Sequence, residues 1–226
     1  MEVEYQRGLL DIPYGLQSIK KLGGPEAAPA TLMFAKFSPQ GNRVAYVREH
    51  NIYVENLENH EIIQLTQDGT DRIINGTFDW AYEEEFHCRD GFRWSPDGRN
   101  IAYWRIDATT IRDFYMINNT DSIYSYLIPV EYPKAGEKPS EAKIGVIDAS
   151  GGSTVWMQIE GDPTNNYLPR MIWHPNGDKL LMQQLNRAQN YNKILEGNIA
   201  DGRVKKTYED KDEAWLEAVD DFNYFD

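Results

Sequence analysis

An all-β chain forming part of a β-propeller is predicted by three observations. A strand–turn–strand unit recurs three times with the same internal spacing. The stretches after the first copy alternate as a blade's outer strands do. The intervals between copies suit blades lengthened by insertions. The first copy is Phe37-Ser38-Pro39-Gln40-Gly41, two polar residues, then Val44-Ala45-Tyr46. The second is Trp94-Ser95-Pro96-Asp97-Gly98, again two polar residues, then Ile101-Ala102-Tyr103. The third is Trp173-His174-Pro175-Asn176-Gly177, followed by Leu180-Leu181-Met182. Pro presets φ for the turn and Gly supplies a positive φ, while the flanking apolar residues favour strands. Asn51–Leu57 and Ile62–Leu65 then read as two further strands that complete a blade. Phe37 to Trp94 is 57 residues and Trp94 to Trp173 is 79, against roughly 40–50 for an uninterrupted four-stranded blade. An ordinary β-sandwich is the competing architecture; three copies in one pattern favour the propeller.

Blade sheets bury both faces against neighbours, and propellers usually close with about four to eight of them. This chain holds about three, and Asp220–Asp226 stands where another hairpin would begin. Residues 1–226 are therefore expected to be an incomplete propeller, an excerpt of a larger protein that is marginally stable alone.

The 226 residues carry a net charge of −13 and 41% hydrophobic content. That content suffices for a core. The acidity argues against nucleic acid as a partner, because phosphates need Lys and Arg. Eight acids against one Lys between Glu209 and Asp226 read as a solvated connecting segment. Cys88 is the sole cysteine, so an intrachain disulfide is excluded and the compartment is left open. No apolar run approaches the roughly 18–20 residues of a membrane span, and Met1–Lys20 shows no basic segment followed by an apolar one.

Between the first two copies lies Asp79-Trp80-Ala81-Tyr82-Glu83-Glu84-Glu85-Phe86. Three consecutive acids among aromatics suit a short helix, with Asp79 as its cap and acids favoured near its N-terminus. Neighbours on a helix are about 100° apart and i,i+2 pairs about 200°, so only an adjacent pair converges on one ligand. Crowded carboxylates call for a cation: a metal ion, an Arg or Lys, or a protonated amine. On this motif alone a solvated acidic turn is the plainer reading. A metal centre on Glu84, Glu85 and His87 is a further alternative, although neither paired CxxC nor HExxH spacing is present. No metal and no cofactor are expected.

Catalytic machinery is missing. Gly151-Gly152-Ser153-Thr154-Val155 lacks the last Gly of the Gly-x-Ser-x-Gly elbow. Ser153 reads as a hairpin turn, and His50, His60, His87 and His174 have no such serine to serve.

The segment Trp80-Ala81-Tyr82-Glu83-Glu84-Glu85-Phe86 resembles the double-glutamate motif of the dipeptidyl peptidase IV family, within the prolyl oligopeptidase superfamily. Thr31–Pro39, Arg89–Trp104, Tyr132-Pro133-Lys134-Ala135-Gly136 and Asn186-Arg187-Ala188-Gln189-Asn190-Tyr191 resemble family segments in the same order, in the bacterial-type branch, over roughly residues 20–226. The resemblance implies an eight-bladed propeller capping an α/β-hydrolase domain that this chain lacks. It assigns Glu84 and Glu85 to the free N-terminal amine of a peptide substrate, and Glu83 to a structural position. Tyr82 and Trp80 are expected to brace the motif. The parent would be a serine-type enzyme releasing an N-terminal dipeptide after Pro or Ala, with a periplasmic or extracellular location. A propeller that binds peptide or protein without catalysis is the alternative. The family's substrate-binding arginine has no match in Glu2–Leu10, and Arg7 is not assigned that role. Thr109–Tyr132 resembles a dimerisation arm, so Phe114, Tyr115, Ile123, Tyr124 and Tyr126 are expected to form a homodimer contact.

Overall fold

The computed structural model describes residues 10–11, 20–25, 27–28 and 31–219. Arg7 and the Asp220–Asp226 segment lie outside them. A short pair, β1 (Leu10–Asp11) and β2 (Lys20–Lys21), precedes three larger antiparallel sheets. Blade 1 is β3 (Leu32–Phe37), β4 (Arg43–Arg48), β5 (Asn51–Asn56) and β6 (Ile62–Gln64), in that order. Blade 2 is built on β7 (Ile73–Asn75), β8 (Phe92–Trp94), β9 (Asn100–Asp107), β12 (Glu141–Asp148) and β13 (Val155–Trp156). A helix, α1 (Trp80–Phe86), interrupts it, and a hairpin of β10 (Asp113–Asn118) and β11 (Tyr126–Glu131) extends from it. Blade 3 is β14 (Asn166–Trp173), β15 (Lys179–Asn186), β16 (Tyr191–Asn198) and β17 (Val204–Lys211). The predicted all-β partial propeller of three blades, with a short helical insertion, is what forms.

The apolar runs of the second strands follow from burial on both faces. Val44 and Tyr46 join a core with Leu22 and Leu32, while Ala45 and Val47 face Phe92, Ile101 and Tyr103 of the next blade. Ala102, Trp104 and Ile106 turn to Leu168, Met171 and Leu180 of blade 3. Side chains alternate across a strand, so a strand between two neighbours must be apolar at every position. The inner edges are also stitched in register. The Trp94 indole donates to the Lys36 carbonyl at 3.0 Å, and the Trp173 indole donates to the Arg93 carbonyl at 3.1 Å.

The acidic stretch departs from expectation at its start. Glu209–Lys211 close the outer strand β17 rather than a connecting segment. A charged outer strand resists pairing with other chains, which is how edges are commonly protected.

Each first strand breaks near its middle. In blade 1 the pairing shifts between Met33 and Lys36, and in blade 3 between Tyr167 and Arg170. In blade 2 the break holds the whole α1 excursion. β7 pairs Asp107 to Arg105, and β8 resumes at Tyr103. Trp104 spans the gap: its carbonyl accepts from Gly76 N–H at 3.0 Å and its N–H donates to the Gly91 carbonyl at 2.9 Å. Gly91 N–H closes the neck on the Gly76 carbonyl at 2.8 Å. A Cβ on Gly91 would lie 2.7 Å from the Gly76 carbonyl carbon, so this neck admits no side chain there.

Candidate functional site

Asp79 starts α1 from an extended conformation. Its Oδ1 accepts from Tyr82 N–H at 3.1 Å and its Oδ2 accepts from the Ser140 hydroxyl at 2.6 Å. One oxygen caps the helix; the other ties it to the start of β12. Burial raises the Asp79 pKa, and the two hydrogen bonds oppose that rise. His87 ends the helix in the left-handed region at φ 54°, a conformation His tolerates better than most residues.

The aromatics point inward. Tyr82 is fully buried, and the Leu168 N–H donates to its hydroxyl at 3.0 Å. The Leu168 carbonyl accepts from the Trp104 indole at 2.8 Å. Two side chains of blade 2 thus satisfy the backbone groups that the β14 break leaves outside the ladder. Pro169 follows, where no N–H is needed, and its carbonyl accepts from Arg170 Nη1 at 2.9 Å. Arg170 Nη1 also donates to the Phe86 carbonyl at 3.0 Å, the last carbonyl of α1. Trp80 packs on Tyr132 at 4.2 Å between ring centroids, joining the helix to the root of the arm.

The acids point outward. Glu84 and Glu85 are exposed, and Glu83 is half-buried. Burial raises the Glu83 pKa; Arg89 opposes the rise, and Asp79 and Glu84 add to it. The structure therefore separates one acid packed toward the protein from an adjacent pair on the surface. Among the described residues no three His, Cys, Asp or Glu side chains are grouped to hold a metal ion. His87 thus does not complete a site with Glu84 and Glu85.

The arm is a two-stranded ribbon from Asp113↔Glu131 to Asn118↔Tyr126. Phe114, Tyr115, Ile123, Tyr124 and Tyr126 are all exposed, Ile123 at 97% and Tyr124 at 85%. Ser153 sits in the β12–β13 connection after two positive-φ glycines, as turn chemistry requires.

The sequence pattern missed Ser140, Leu168 and Arg170, which lie far from the motif along the chain yet fix the helix. The one local hint was Pro169, which disfavours a regular ladder at that position.

Residues 6–226 match the model of the dipeptidyl peptidase IV N-terminal region. Dipeptidyl aminopeptidase B of Saccharomyces cerevisiae is 31% identical over 154 residues, 65% of this chain and 19% of the relative. The inactive dipeptidyl peptidase 10 of Mus musculus is 28% identical over 200 residues, 87% of this chain and 25% of the relative. The crystal structure of Porphyromonas gingivalis dipeptidyl peptidase 4 superposes with a TM-score of 0.81 at 30% identity, over 88% of this chain and 28% of that one. The chain thus spans about a quarter or less of the curated relatives' length. Its three blades, their helical insertion and the matched region together make this chain a member of the dipeptidyl peptidase IV family, from the family's N-terminal region.

Proposed function

We propose that this chain is the substrate-recognising part of a longer serine dipeptidyl peptidase, in which Glu84 and Glu85 bind the free N-terminal amine of a peptide. The observation that carries this reading is the adjacent, exposed pair on a helix whose Ala81, Tyr82 and Phe86 are buried and whose Tyr82 hydroxyl is hydrogen-bonded. An α-amine has a pKa of about 8 and is a cation at neutral pH. Two carboxylates accept its N–H donors as charge-assisted hydrogen bonds. Each extended residue advances about 3.3–3.6 Å. An amine pinned at a fixed distance from a nucleophile therefore presents the second peptide bond for cleavage. The pair acts as an anchor and a ruler, with Tyr82, Trp80 and Glu83 supporting it. The nucleophile belongs to a hydrolase domain outside this chain. The arm, with its exposed Ile123 and Tyr124, serves as a homodimer contact in the parent.

A second reading keeps the peptide site without catalysis. Similarity to a relative named inactive, over 87% of this chain, favours it.

The test compares hydrolysis of a Gly-Pro chromogenic amide with its N-acetylated form by the full-length protein. The wild type should cleave the free-amine substrate alone. Glu84→Ala and Glu85→Ala should each lose about 10- to 100-fold in kcat/KM, the size of one hydrogen bond to a charged group. Folded variants that cleave as well as the wild type would sink the proposal. No cleavage by the wild type, with retained binding of free-amine peptide, would select the second reading.

A further inference from the structure

The arm has two faces, and its register tells them apart. Residues paired across a ribbon project to one side, and neighbours along a strand alternate sides. Phe114↔Val130, Met116↔Ile128 and Asn118↔Tyr126 therefore share one face. Tyr115↔Pro129 and Ile117↔Leu127 share the other.

The first face is engaged by its own chain. The Phe114 ring lies 5.6 Å from the Tyr132 ring, which itself packs on Trp80 of α1, and the Lys134 ammonium stands over Phe114 at 5.6 Å. At the other end the Tyr126 hydroxyl accepts from Asn118 Nδ2 at 3.1 Å and donates to Asp121 at 3.3 Å. Phe114, Met116, Tyr126 and Ile128 are 43%, 53%, 45% and 37% exposed. On the second face Tyr115, Ile117 and Leu127 are 59%, 64% and 59% exposed. The second face is thus the barer one at each step of the ribbon.

Charge says what can cover it. From Phe114 to Val130 the only charged residue is Asp121, in the turn, although the chain carries −13. Two bodies of that charge repel one another. The arm offers them an uncharged contact on strands that pair only with each other. A two-fold dimer uses the same patch on both copies, and a face without charges meets its duplicate with no like charges opposed. Pro129 lacks an N–H, which blunts edge-to-edge pairing along β11 and leaves a face as the contact.

We propose that the Tyr115, Ile117 and Leu127 face of the arm meets the same face of a second copy of this chain, while the Phe114, Met116 and Tyr126 face turns to its own chain. The inference rests on the homodimer role given to the arm above and divides that role among its residues. Tyr115 falls inside the contact, Ile117 and Leu127 join it, and Phe114 and Tyr126 fall outside.

The experiment measures the dimer Kd of the full-length protein by sedimentation in four variants: Ile117→Asp and Leu127→Asp on the second face, Met116→Asp and Ile128→Asp on the first. Met116 and Ile117 are neighbours in β10, and Leu127 and Ile128 are neighbours in β11, so each comparison changes the face and little else. Ile117→Asp and Leu127→Asp should each raise Kd at least about 10-fold, as central interface residues do. Met116→Asp and Ile128→Asp should raise it less than about 3-fold, within the range of ordinary surface changes. Equal weakening from both faces, or the reverse order, overturns the proposal. So does a fall in Tm for Ile117→Asp and Leu127→Asp with the dimer intact, which would mean that another part of the same chain covers the face. Flotation of the wild type with phosphatidylcholine vesicles, lost in Ile117→Asp, would assign the face to a lipid surface and overturn it too. Ile123→Ser/Tyr124→Ser separates the two levels. If the dimer survives this variant and all four others, the homodimer reading of the arm has itself failed. If this variant abolishes the dimer while the two faces respond alike, only the assignment of the face falls.

Discussion

Blade 2 carries two insertions rich in aromatics, and they pack in opposite ways. In α1 the Tyr82 and Phe86 rings are 0% and 2% exposed; in the arm Ile123 and Tyr124 are 97% and 85% exposed. Residue type does not explain the contrast, since both stretches mix rings with acids. Placement does. α1 leaves the first strand through a neck pinched at Gly76 and Gly91 and lands against the break in β14, where unpaired backbone groups await partners. The arm leaves the outer half of the blade between β9 and β12, and its strands pair with each other. Its root is fixed by Arg72, which donates to the Ile111 carbonyl at 2.7 Å and pairs with Asp113. A contiguous exposed apolar surface of this kind marks an interface. The helix is held in place by its own protein; the arm's apolar side chains stay exposed, as the proposed homodimer contact requires.

Removing the deepest tether should separate the two regions most. Tyr82→Ala is expected to cost about 3–5 kcal/mol in denaturant unfolding, as a large aromatic cavity does. Tyr82→Phe should cost about 1–2 kcal/mol, because it leaves the Leu168 N–H unpaired. Losses below roughly 0.5 kcal/mol in both, the range of ordinary surface changes, would mean that the helix is as loosely held as the arm.

The cap gives a smaller effect with a sign. Asp79→Ala should cost about 1–2 kcal/mol at neutral pH, whereas Asp79→Asn keeps an acceptor for Tyr82 N–H. Burial raises the folded-state pKa of Asp79 above the ordinary carboxylate value of 3.8. Protonation therefore favours the folded state. That contribution is fully present below the unfolded value and is lost as pH rises through the folded one. The stability of wild type relative to Asp79→Asn should rise as pH falls from neutral towards 3.8. A difference with the opposite slope between those limits would refute the buried-carboxylate account.

The arm should respond least in stability and most in assembly. Ile123→Ser/Tyr124→Ser is expected to change unfolding free energy by no more than about 0.5 kcal/mol, as exposed substitutions do. In the full-length protein the same pair should abolish the proposed dimer in sedimentation. A dimer that survives removes the arm from the interface. A loss above roughly 1 kcal/mol, beyond the ordinary surface range, would show that the arm packs on its own body.

Much of this was legible along the chain because it is local. The turns at Ser38-Pro39, Ser95-Pro96 and His174-Pro175 are written in residues with narrow backbone preferences. The Asp79 cap and the adjacency of Glu84 and Glu85 follow from helix geometry over one or two turns. The acidic stretch was misread at its start because a charged edge strand and a solvated linker share a composition. Only pairing with Tyr191–Gly197 tells them apart.

By itself, then, the sequence determined the repeat, the strand content, the helix and its cap, and the presence of an acidic pair, since each depends on neighbours within a few residues. Tertiary structure alone decided which acid is packed and which two are exposed. It also decided that a break in β14 receives the Tyr82 hydroxyl, and that Arg170 reaches the last carbonyl of α1. Those relations join side chains in different blades. They exist only once burial of both faces of the second strands has drawn the sheets together, which no local preference can specify.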